Sequence, residues 1–318
     1  MVDREFNFKG TSGVCNNCAG CKPTSATCQA TQLAIDLPNQ SWCDSLPPAK
    51  VSYDKAAVTP IQVRSNKSIV GVGSKGVIRG KGLRMSNGVK NIIVQNVHIT
   101  DLNPSLIWGG DAITLAGTDL IWIDHVKISL VGRQMLVTGY ESSGRVTVSH
   151  SEFDGQTSWS SSCDGRHYWA ILGYGKGDMV TFAGNYVHHT SGRSPKMEYN
   201  NQWHVVSNYW YSNSGHAFDI SSGSNAFIEG NVFENVATTS VKEQKPGQAF
   251  APTTANVGSC LNFIGRECQP NSYLGGSPAI VGTSIQMLSN LKGYDVAKAT
   301  SIAKVKGQVL KNAGVGKI

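Results

Sequence analysis

Short stretches of alternating apolar and polar residues recur along most of the chain, which is the pattern of half-buried β-strands. Six of them, between residues 91 and 234, share one arrangement: an alternating stretch, then an Asn or His, then a second alternating stretch. They read NIIVQNVHI (91–99), DLIWIDHVKI (119–128), RVTVSHSEF (145–153), DMVTFAGNYV (178–187), QWHVVSNYW (202–210) and NAFIEGNVF (225–233). Gly, Asn, Asp and Ser between them indicate turns. The pattern therefore predicts pairs of short strands in a repeated unit.

The polar residue inside each unit marks the length of the repeat. The markers, at steps of 29, 25, 35, 23 and 23 residues, are Asn96, His125, His150, Asn185, Asn208 and Asn231. One unit cannot bury its own apolar face, so units must stack, and a step in the low twenties suits one coil of a parallel β-helix. We therefore predict an all-β fold, a right-handed parallel β-helix that forms a single-stranded solenoid, with coils from about residue 50 to about residue 260. We expect the markers to align coil over coil as structural residues, and His125 to be a satisfied interior histidine.

Two longer connections interrupt the repeat, at 158–174 and at 103–111. Loops on a rigid repeat carry function more often than the coils do, so we expect both to project on one side and frame a groove. Residues 1–45 are predicted to be a Cys-rich loop region. Residues from about 286 to 318 are predicted to be an arm that packs back along the coils or includes a helix. Together, residues 1–318 are expected to form a single domain.

Composition narrows the class of protein. With 35 Gly and 15% charged residues, the 318-residue chain is typical of a turn-rich β protein. No stretch of 18 apolar residues is present, so we expect no membrane span. The net charge of +7 favours an anionic partner. Because Lys and Arg are spread thinly, an acidic polysaccharide is favoured over nucleic acid.

Eight cysteines, five of them within the first 43 residues, leave two interpretations open. A zinc knuckle needs a second pair of ligands at matching spacing, which Cys28 and Cys43 do not offer. Disulfides are therefore favoured, and they imply an oxidising, extracellular compartment. A strand-like alternation follows Met1 directly, with no signal peptide, so we expect the natural N-terminus to lie upstream.

Four segments concentrate polar groups beside aromatic residues: WGGDAIT (108–114), DHVKISLVGRQ (124–134), CDGRHYW (163–169) and HHTSGRSPK (188–196). These motifs, and HTSGRSPK (189–196) above all, resemble the fungal pectin lyases of the pectate lyase superfamily. The resemblance runs from about Phe6 to the C-terminus. Two aromatic positions of the family differ, since Lys22-Pro23-Thr24 and Leu172 stand there, which is expected to reshape the subsites. The family's N-terminal segment with its capping helix is also missing, and we expect this to leave the first coil open, with apolar surface exposed.

The resemblance implies an enzyme that cleaves methyl-esterified (1→4)-α-D-galacturonan by endo-type β-elimination, without a metal or other cofactor. It assigns catalytic roles to Arg193, Arg133, Asp111 and Lys196, with Arg193 as the proton-abstracting group. A guanidinium is a poor base, with a pKa above about 12. Arg193 therefore acts as a base only if nearby positive charge favours its neutral form, or else it stabilises the enolate. In calcium-dependent relatives the region of Asp111 and Arg133 holds the metal, and here an ion pair between them would exclude calcium.

The resemblance also implies aromatic subsites and a set of disulfides. Trp108, Trp169, Tyr168 and Trp42 are candidates for stacking on sugar faces, with core packing as the competing interpretation for each. Trp122 is expected to lie in the core. The implied disulfides are Cys28–Cys163, Cys260–Cys268 and Cys21–Cys43, which leaves Cys15 and Cys18 to pair or to stay free. A monomer is expected, because a solenoid of this size closes its own core.

Two other functions remain open from the sequence. One is a calcium-dependent pectate lyase acting on unesterified polygalacturonate, which the charge of Arg133 argues against. The other is a non-catalytic, cell-wall-binding β-helix. A glycoside hydrolase ranks lower, because it needs paired carboxylates and Asp111 has no obvious partner.

Overall fold

The computed structural model describes residues 1–38 and 40–318, in which short, mostly parallel strands follow one another along the chain. The N-terminal strands of this part are β1 (Glu5–Asn7), β2 (Val14–Cys21), β3 (Leu33–Ile35) and β4 (Pro48–Asp54). The strands that follow are β5 (Ile61–Gln62), β6 (Lys67–Val70), β7 (Val77–Arg79), β8 (Leu83–Gln95), β9 (His98–Leu102), β10 (Leu106–Ile107), β11 (Ile113–Asp124), β12 (Lys127–Val131), β13 (Leu136–Thr138), β14 (Arg145–Ser149), β15 (Glu152–Asp154), β16 (Ile171–Gly173), β17 (Met179–Ala183), β18 (Tyr186–His188), β19 (Lys196–Met197), β20 (Gln202–Val206), β21 (Tyr209–Ile220), β22 (Asn225–Glu229), β23 (Val232–Ser240), β24 (Gln248–Phe250) and β25 (Ser272–Leu274). The helices are α1 (Leu261–Ile264), α2 (Ile302–Asn312) and two 3-10 helices, Val257–Cys260 and Ile285–Leu291.

The coils contribute strands to three parallel sheets, because strands of one coil pair with their equivalents in the next coil. The first sheet contains β5, the N-terminal parts of β8 and β11, then β13, β16, β19 and the end of β21. The second contains β6, the C-terminal parts of β8 and β11, then β14, β17, β20, β22 and β24. The third contains β1, β7, β9, β12, β15, β18, the start of β21, β23 and β25. The predicted right-handed parallel β-helix is confirmed, in the hand that parallel crossovers adopt.

Apolar side chains from equivalent strand positions stack inside the solenoid. One column of the second sheet, at most 3% exposed, is Ile92, Ile121, Val146, Val180, Trp203 and Ala226. Because alternate residues of a strand face opposite sides, Trp122 points outward between the core residues Ile121 and Ile123. It is 39% exposed, and its Nε1 donates a hydrogen bond to Ser149 Oγ at 2.9 Å. The prediction that Trp122 lies in the core is therefore wrong.

A ladder of asparagine side chains follows the corner between the second and third sheets. Asn185 Nδ2 donates to Asn208 Oδ1 at 3.0 Å, and Asn208 Nδ2 donates to Asn231 Oδ1 at 2.9 Å. Asn231 Nδ2 continues the ladder to Asn271 Oδ1 at 3.0 Å. The predicted alignment of the last three markers is confirmed. The fourth member was missed because an intervening segment lengthens its step to 40 residues.

The three earlier markers take other partners at the same corner. Asn96 Nδ2 donates to the carbonyl oxygen of Gly71 at 3.0 Å. His125 Nδ1 and His150 Nδ1 lie 2.8 and 3.4 Å from the carboxylate oxygens of Asp124. His125 is thus satisfied, as predicted, but by a carboxylate rather than by a marker one coil away.

The Cys-rich region contains a small sheet and is not the loop region that was predicted. Strand β2 pairs antiparallel with β3 and β4, and β10 adds parallel to β3. The sequence of β2, VCNNCAGC, does not indicate a strand, because its Cys, Asn and Gly residues show no clear alternation of apolar and polar positions. Strand β4 belongs to this sheet, so the coils begin at β5, slightly later than predicted, and continue to β25.

Residues at both chain ends lie against the solenoid. Strand β1 pairs with β7 in the first coil, and Phe6 and Phe8 pack against the main core, so this coil is less open than we expected. Helix α2 packs Val305 and Val309 into a cluster with Tyr209 and Val232. After α2 the chain runs back along the coils, with Gly316 N donating to Asn96 Oδ1 at 2.7 Å. These contacts support the proposal of a single domain.

Four disulfides link the described residues. They are Cys15–Cys18, Cys21–Cys43, Cys28–Cys163 and Cys260–Cys268. The three predicted pairings are confirmed, and Cys15 and Cys18 pair with each other. The Cys28–Cys163 bond ties the N-terminal region to the inserted connection. That connection ends at Ala170, earlier than predicted, because Ile171–Gly173 form β16.

None of the helices in the described residues has the length and apolar character that crossing a membrane requires.

Candidate active site

Polar and aromatic side chains gather along the corner where the third sheet passes into the first. Asp111 lies just before β11, Arg133 just before β13, Trp169 just before β16 and Arg193 just before β19. His216 lies at the equivalent place in β21, since Lys196 pairs with Asp219. Because these strands are stacked in register, residues at the same offset lie about 4.8 Å apart from coil to coil. Segments that are far apart in sequence therefore meet at one corner.

Asp111 and Arg133 form the ion pair that was predicted. Arg133 Nη1 lies 3.9 Å from Asp111 Oδ2, and Gln134 N donates to Asp111 Oδ1 at 2.9 Å. The Arg133 guanidinium also stacks 3.7 Å above the Trp108 ring. Burial raises the pKa of Asp111, and the positive charge of Arg133 opposes that shift. Burial lowers the pKa of Arg133, and the nearby charge of Arg193 lowers it further against the effect of Asp111.

The donor set around Asp111 does not fit calcium. A calcium site requires six to eight oxygen ligands, several of them carboxylates, whereas a guanidinium occupies this neighbourhood. Within residues 1–38 and 40–318, the groups of three His, Cys, Asp or Glu with metal-ligand spacing lie elsewhere. They are Asp124–His125–His150 at the corner between the second and third sheets and Glu152–Asp154–His188 on the third sheet. That the reaction needs no metal stays a prediction.

Arg193 projects from a tightly built turn. Its φ of 44° is left-handed, and Gly192 before it is required because a Cβ there would meet the Tyr168 ring at 2.5 Å. The guanidinium lies 4.8 Å from the centre of the Trp169 ring and 5.5 Å from that of Tyr168. In the described part of the chain it has no carboxylate within ion-pairing distance, and Nε has no hydrogen-bond partner. Arg193 thus presents an uncompensated positive charge.

Lys196, in contrast, is balanced by carboxylates. Its Nζ lies 2.8 Å from Glu198 Oε1 and 3.4 Å from Asp219 Oδ2. The hydrogen bond between Asp219 and Glu243 raises the pKa of Glu243 to about 7. This acidic group was not foreseen, and it reduces the positive potential that Lys196 was predicted to supply. Its catalytic role stays a prediction.

Three neighbouring hollows line this corner. One of about 290 Å³ contains Trp108, Asp111 and Arg133. A second of about 290 Å³ lies between Trp42 and Trp169, and a third of about 580 Å³ lies between Tyr168, Trp169 and Arg193. The three tryptophans also pack together around Cys21 and Ile107, so each serves packing and lines the surface. The structure therefore brings seven of the eight predicted residues to one surface: Trp42, Trp108, Asp111, Arg133, Tyr168, Trp169 and Arg193.

A cluster of tyrosines at the other edge of the first sheet was missed. Tyr140, Tyr174 and Tyr199 follow β13, β16 and β19, and the ring of Tyr174 lies 5.3 and 5.1 Å from the rings of Tyr140 and Tyr199. Tyr140 is 74% and Tyr199 50% exposed. Burial raises the pKa of Tyr174 to about 12, while the charges of Lys196 and Arg193 act in the opposite direction. The three tyrosines are 34 and 25 residues apart, close to two of the spacings between the Asn and His markers. This spacing was the signal in the sequence that could have placed them on successive coils.

The sequence profile of the pectate lyase family matches residues 30–318. The chain belongs to this family. It is 57% identical to the probable pectin lyase F of Aspergillus flavus, over all of this chain and 74% of that protein. It is 53% identical to the probable pectin lyase F of Aspergillus niger, over all of this chain and 67% of that protein, and 46% identical to pectin lyase B of Emericella nidulans, over all of this chain and 84% of that protein.

Solved structures of pectate lyases share the fold. A pectate lyase from Acidovorax avenae subsp. citrulli aligns over 81% of this chain and 66% of its own, with a TM-score of 0.53 and 17% identity. A pectate lyase variant from Xanthomonas campestris aligns over 81% of this chain and 79% of its own, with a TM-score of 0.55 and 18% identity. At these identities the likeness shows the parallel β-helix and nothing about the substrate.

Proposed function

We propose that this member of the pectate lyase family is a pectin lyase, which cleaves methyl-esterified (1→4)-α-D-galacturonan within the chain by β-elimination and without a metal. The three relatives described above, which match the whole chain, are named pectin lyases. The single observation that carries the proposal is the uncompensated guanidinium of Arg193 above Trp169, beside a corner where Arg133 stands next to Asp111.

The reaction begins at the C5 proton, which is acidic because it lies next to the ester carbonyl. As this proton leaves, negative charge develops on the carbonyl oxygen, and fixed positive groups stabilise that charge. Arg193 either takes the proton itself or, with water as the base, stabilises the enolate. The electron pair of the C5–H bond then becomes the C4=C5 double bond. The electron pair of the C4–O4 bond leaves with the glycosidic oxygen, which stays bonded to C1 of the neighbouring sugar and takes up a proton, so the products are a 4,5-unsaturated non-reducing end and a new reducing end.

The neutral ester explains why the site has guanidinium groups and aromatic rings instead of clustered carboxylates. A methyl ester needs no cation to bridge it to the protein, and its apolar face stacks favourably on Trp108 and Trp169. The tyrosine cluster lines the opposite edge of the first sheet, so the sugar chain would lie between two aromatic borders. The remaining proposals are secretion, which four disulfides favour, and a monomeric state, which a closed solenoid core favours.

The decisive experiment compares esterified and unesterified substrates with and without excess chelator. We expect release of product with the ultraviolet absorbance of an unsaturated uronide, faster on highly methylated pectin than on polygalacturonate, and with no loss in chelator. Because the positive charge of Arg133 next to Asp111 disfavours a bound cation, added calcium is expected to have no effect. Loss of activity in chelator together with a preference for polygalacturonate would instead identify a calcium-dependent pectate lyase. Binding to cell walls without any product would identify a non-catalytic protein.

A second expected outcome concerns the aromatic border. Trp169→Ala should raise KM on methylated pectin about threefold to tenfold, because a stacking surface for the sugar is lost. Trp159→Ala is the matched control: this tryptophan is 40% exposed in the same inserted connection but lines none of the three hollows. Initial rates measured over a series of pectin concentrations give KM for both variants. Equal KM values for the two variants would rule out a subsite at Trp169.

A further inference from the structure

The segment that carries Arg193 is fastened to β21, one coil further along. Ser214 N donates to Thr190 O at 3.1 Å, and Ser194 N donates to Ala217 O at 2.8 Å. Asn213 Nδ2 donates to Thr190 Oγ1 at 2.6 Å. All of these groups keep their hydrogen-bonding character between pH 3 and pH 9, because backbone amides, hydroxyls and carboxamides do not titrate in about that range. They hold the turn in place regardless of acidity.

One further hydrogen bond between the two segments differs from these because its acceptor is a titratable group. The backbone N–H of Arg193 donates to Nε2 of His216 at 3.2 Å. Nε2 can accept this bond only when the imidazole is neutral with its proton on Nδ1, because both nitrogens of a protonated imidazole are donors. The Arg193 amide therefore has an acceptor in one protonation state of His216 and faces a donor in the other.

The surroundings of His216 favour its neutral form. The ring meets the edge of Tyr168, with centroids 5.9 Å apart, and it is partly buried. Burial lowers the pKa of His216, the positive charges of Arg193 and Lys196 act in the same direction, and Asp219 opposes them. Burial alone would raise the pKa of Asp219, but the hydrogen bond with Glu243 and the charge of Lys196 hold that pKa below its usual value, so Asp219 stays ionised and its opposition persists on acidification. Protonation would place a third cation beside two existing ones.

We propose that His216 is a positioning residue for Arg193, which holds the arginine in its reactive geometry while the imidazole is neutral and releases it on protonation. This inference rests on the proposed function, since it assigns Arg193 a part in turnover. The left-handed backbone of Arg193 is an uncommon conformation that needs its neighbours to hold it. When His216 is protonated, the surrounding bonds keep the fold intact, but the Arg193 amide loses its acceptor and the guanidinium is repelled from its place.

The test uses His216→Gln, because a glutamine amide oxygen reaches the place of Nε2 and accepts the same bond without titrating. For the wild type we expect kcat to fall on acidification with the uptake of one proton, at an apparent pKa below the usual 6.5. His216→Gln should keep near-normal kcat at neutral pH and should lose this acid limb. His216→Ala should lower kcat about tenfold at neutral pH with little change in KM, the loss expected for one hydrogen bond.

The matched control is His189→Gln, which changes a partly exposed histidine of the same motif outside the hollows and should retain the acid limb. An acid limb that persists unchanged in His216→Gln would overturn the proposal. A second measurement is independent of turnover: in the substrate-free wild type, the amide resonance of Arg193 should shift with the same midpoint as the His216 ring protons. An Arg193 amide that does not respond to the His216 titration would also overturn it. If instead the wild type releases no unsaturated product while this coupling is observed, the proposed function fails and the link between the residues stands.

Discussion

Arg193→Ala is expected to lower kcat on methylated pectin by about 100- to 1000-fold, with little change in KM. The guanidinium has no carboxylate partner in the described residues and lies over Trp169 and Tyr168, so it is free to meet charge that develops on the substrate. Because that charge appears only as the C5 proton leaves, its loss should affect turnover far more than binding. Arg193→Lys should be severely impaired as well, since an ammonium lacks the planar fork of the guanidinium.

The matched control is Arg145→Ala. Arg145 is 63% exposed and pairs with Asp119 on the outer face of the second sheet, so its removal alters net charge equally without reaching the corner. Initial rates and circular dichroism at neutral pH measure activity and fold for all three variants. If Arg193→Ala kept near-normal kcat while Arg145→Ala behaved the same way, the assignment of Arg193 to the reaction would be wrong.

The coil repeat was predictable because each coil must bury an apolar face in the same way as its neighbour. Val146 and Val180 alternate with outward residues at equivalent positions, so the pattern in the sequence is the pattern of the core. The same alternation misled us at Trp122, because strand periodicity says that a residue is on one face but not on which one. There the two flanking isoleucines decided the face, and they were visible in the sequence.

The parts of the site that lie in a recognisable motif were predictable from the sequence. Contacts that form only because successive coils stack were not. Arg193 and Trp169 stand in recognisable segments, so their proximity followed from resemblance. The contact of Arg193 with His216 arises because β19 and β21 are in register, which no local pattern states. The balance of Lys196 by Asp219 has the same origin. Pairing across coils is the physical information that a single sequence does not display.

The C-terminal end of the solenoid contains a buried ionic group with a large expected effect on stability. Glu229 is fully buried, and its oxygens accept hydrogen bonds from Arg266 Nη2 at 2.5 Å and Nη1 at 3.0 Å. His204 Nε2 lies 2.9 Å from the same carboxylate, and Gln269 N donates to it at 3.0 Å. Arg266 also donates to the carbonyl oxygen of Ala297 at 2.7 Å, so this group joins the last coils to the C-terminal segment.

Arg266→Ala is expected to lower the free energy of unfolding by about 3–5 kcal/mol, because it leaves a carboxylate buried without its guanidinium. The pH dependence has a definite sign. Burial alone would raise the pKa of Glu229, but the hydrogen bonds from His204 and Arg266 hold it below its usual value of 4.5. The stabilisation is therefore present above pH 4.5 and is lost as the pH falls further. The difference between variant and wild type should shrink on acidification.

The control is Lys306→Ala, which removes a cation from Glu234 in a pair whose lysine is 43% exposed. An exposed pair contributes about 1 kcal/mol or less, so this variant should remain close to the wild type. Chemical denaturation at neutral pH and below pH 4.5 measures both variants. In a solenoid each coil is stabilised by its neighbours, so the last coils should unfold first in Arg266→Ala, which hydrogen exchange of β22 can show. Equal losses for the two variants, or a difference that grows with acid, would mean that Arg266 does not neutralise a buried charge.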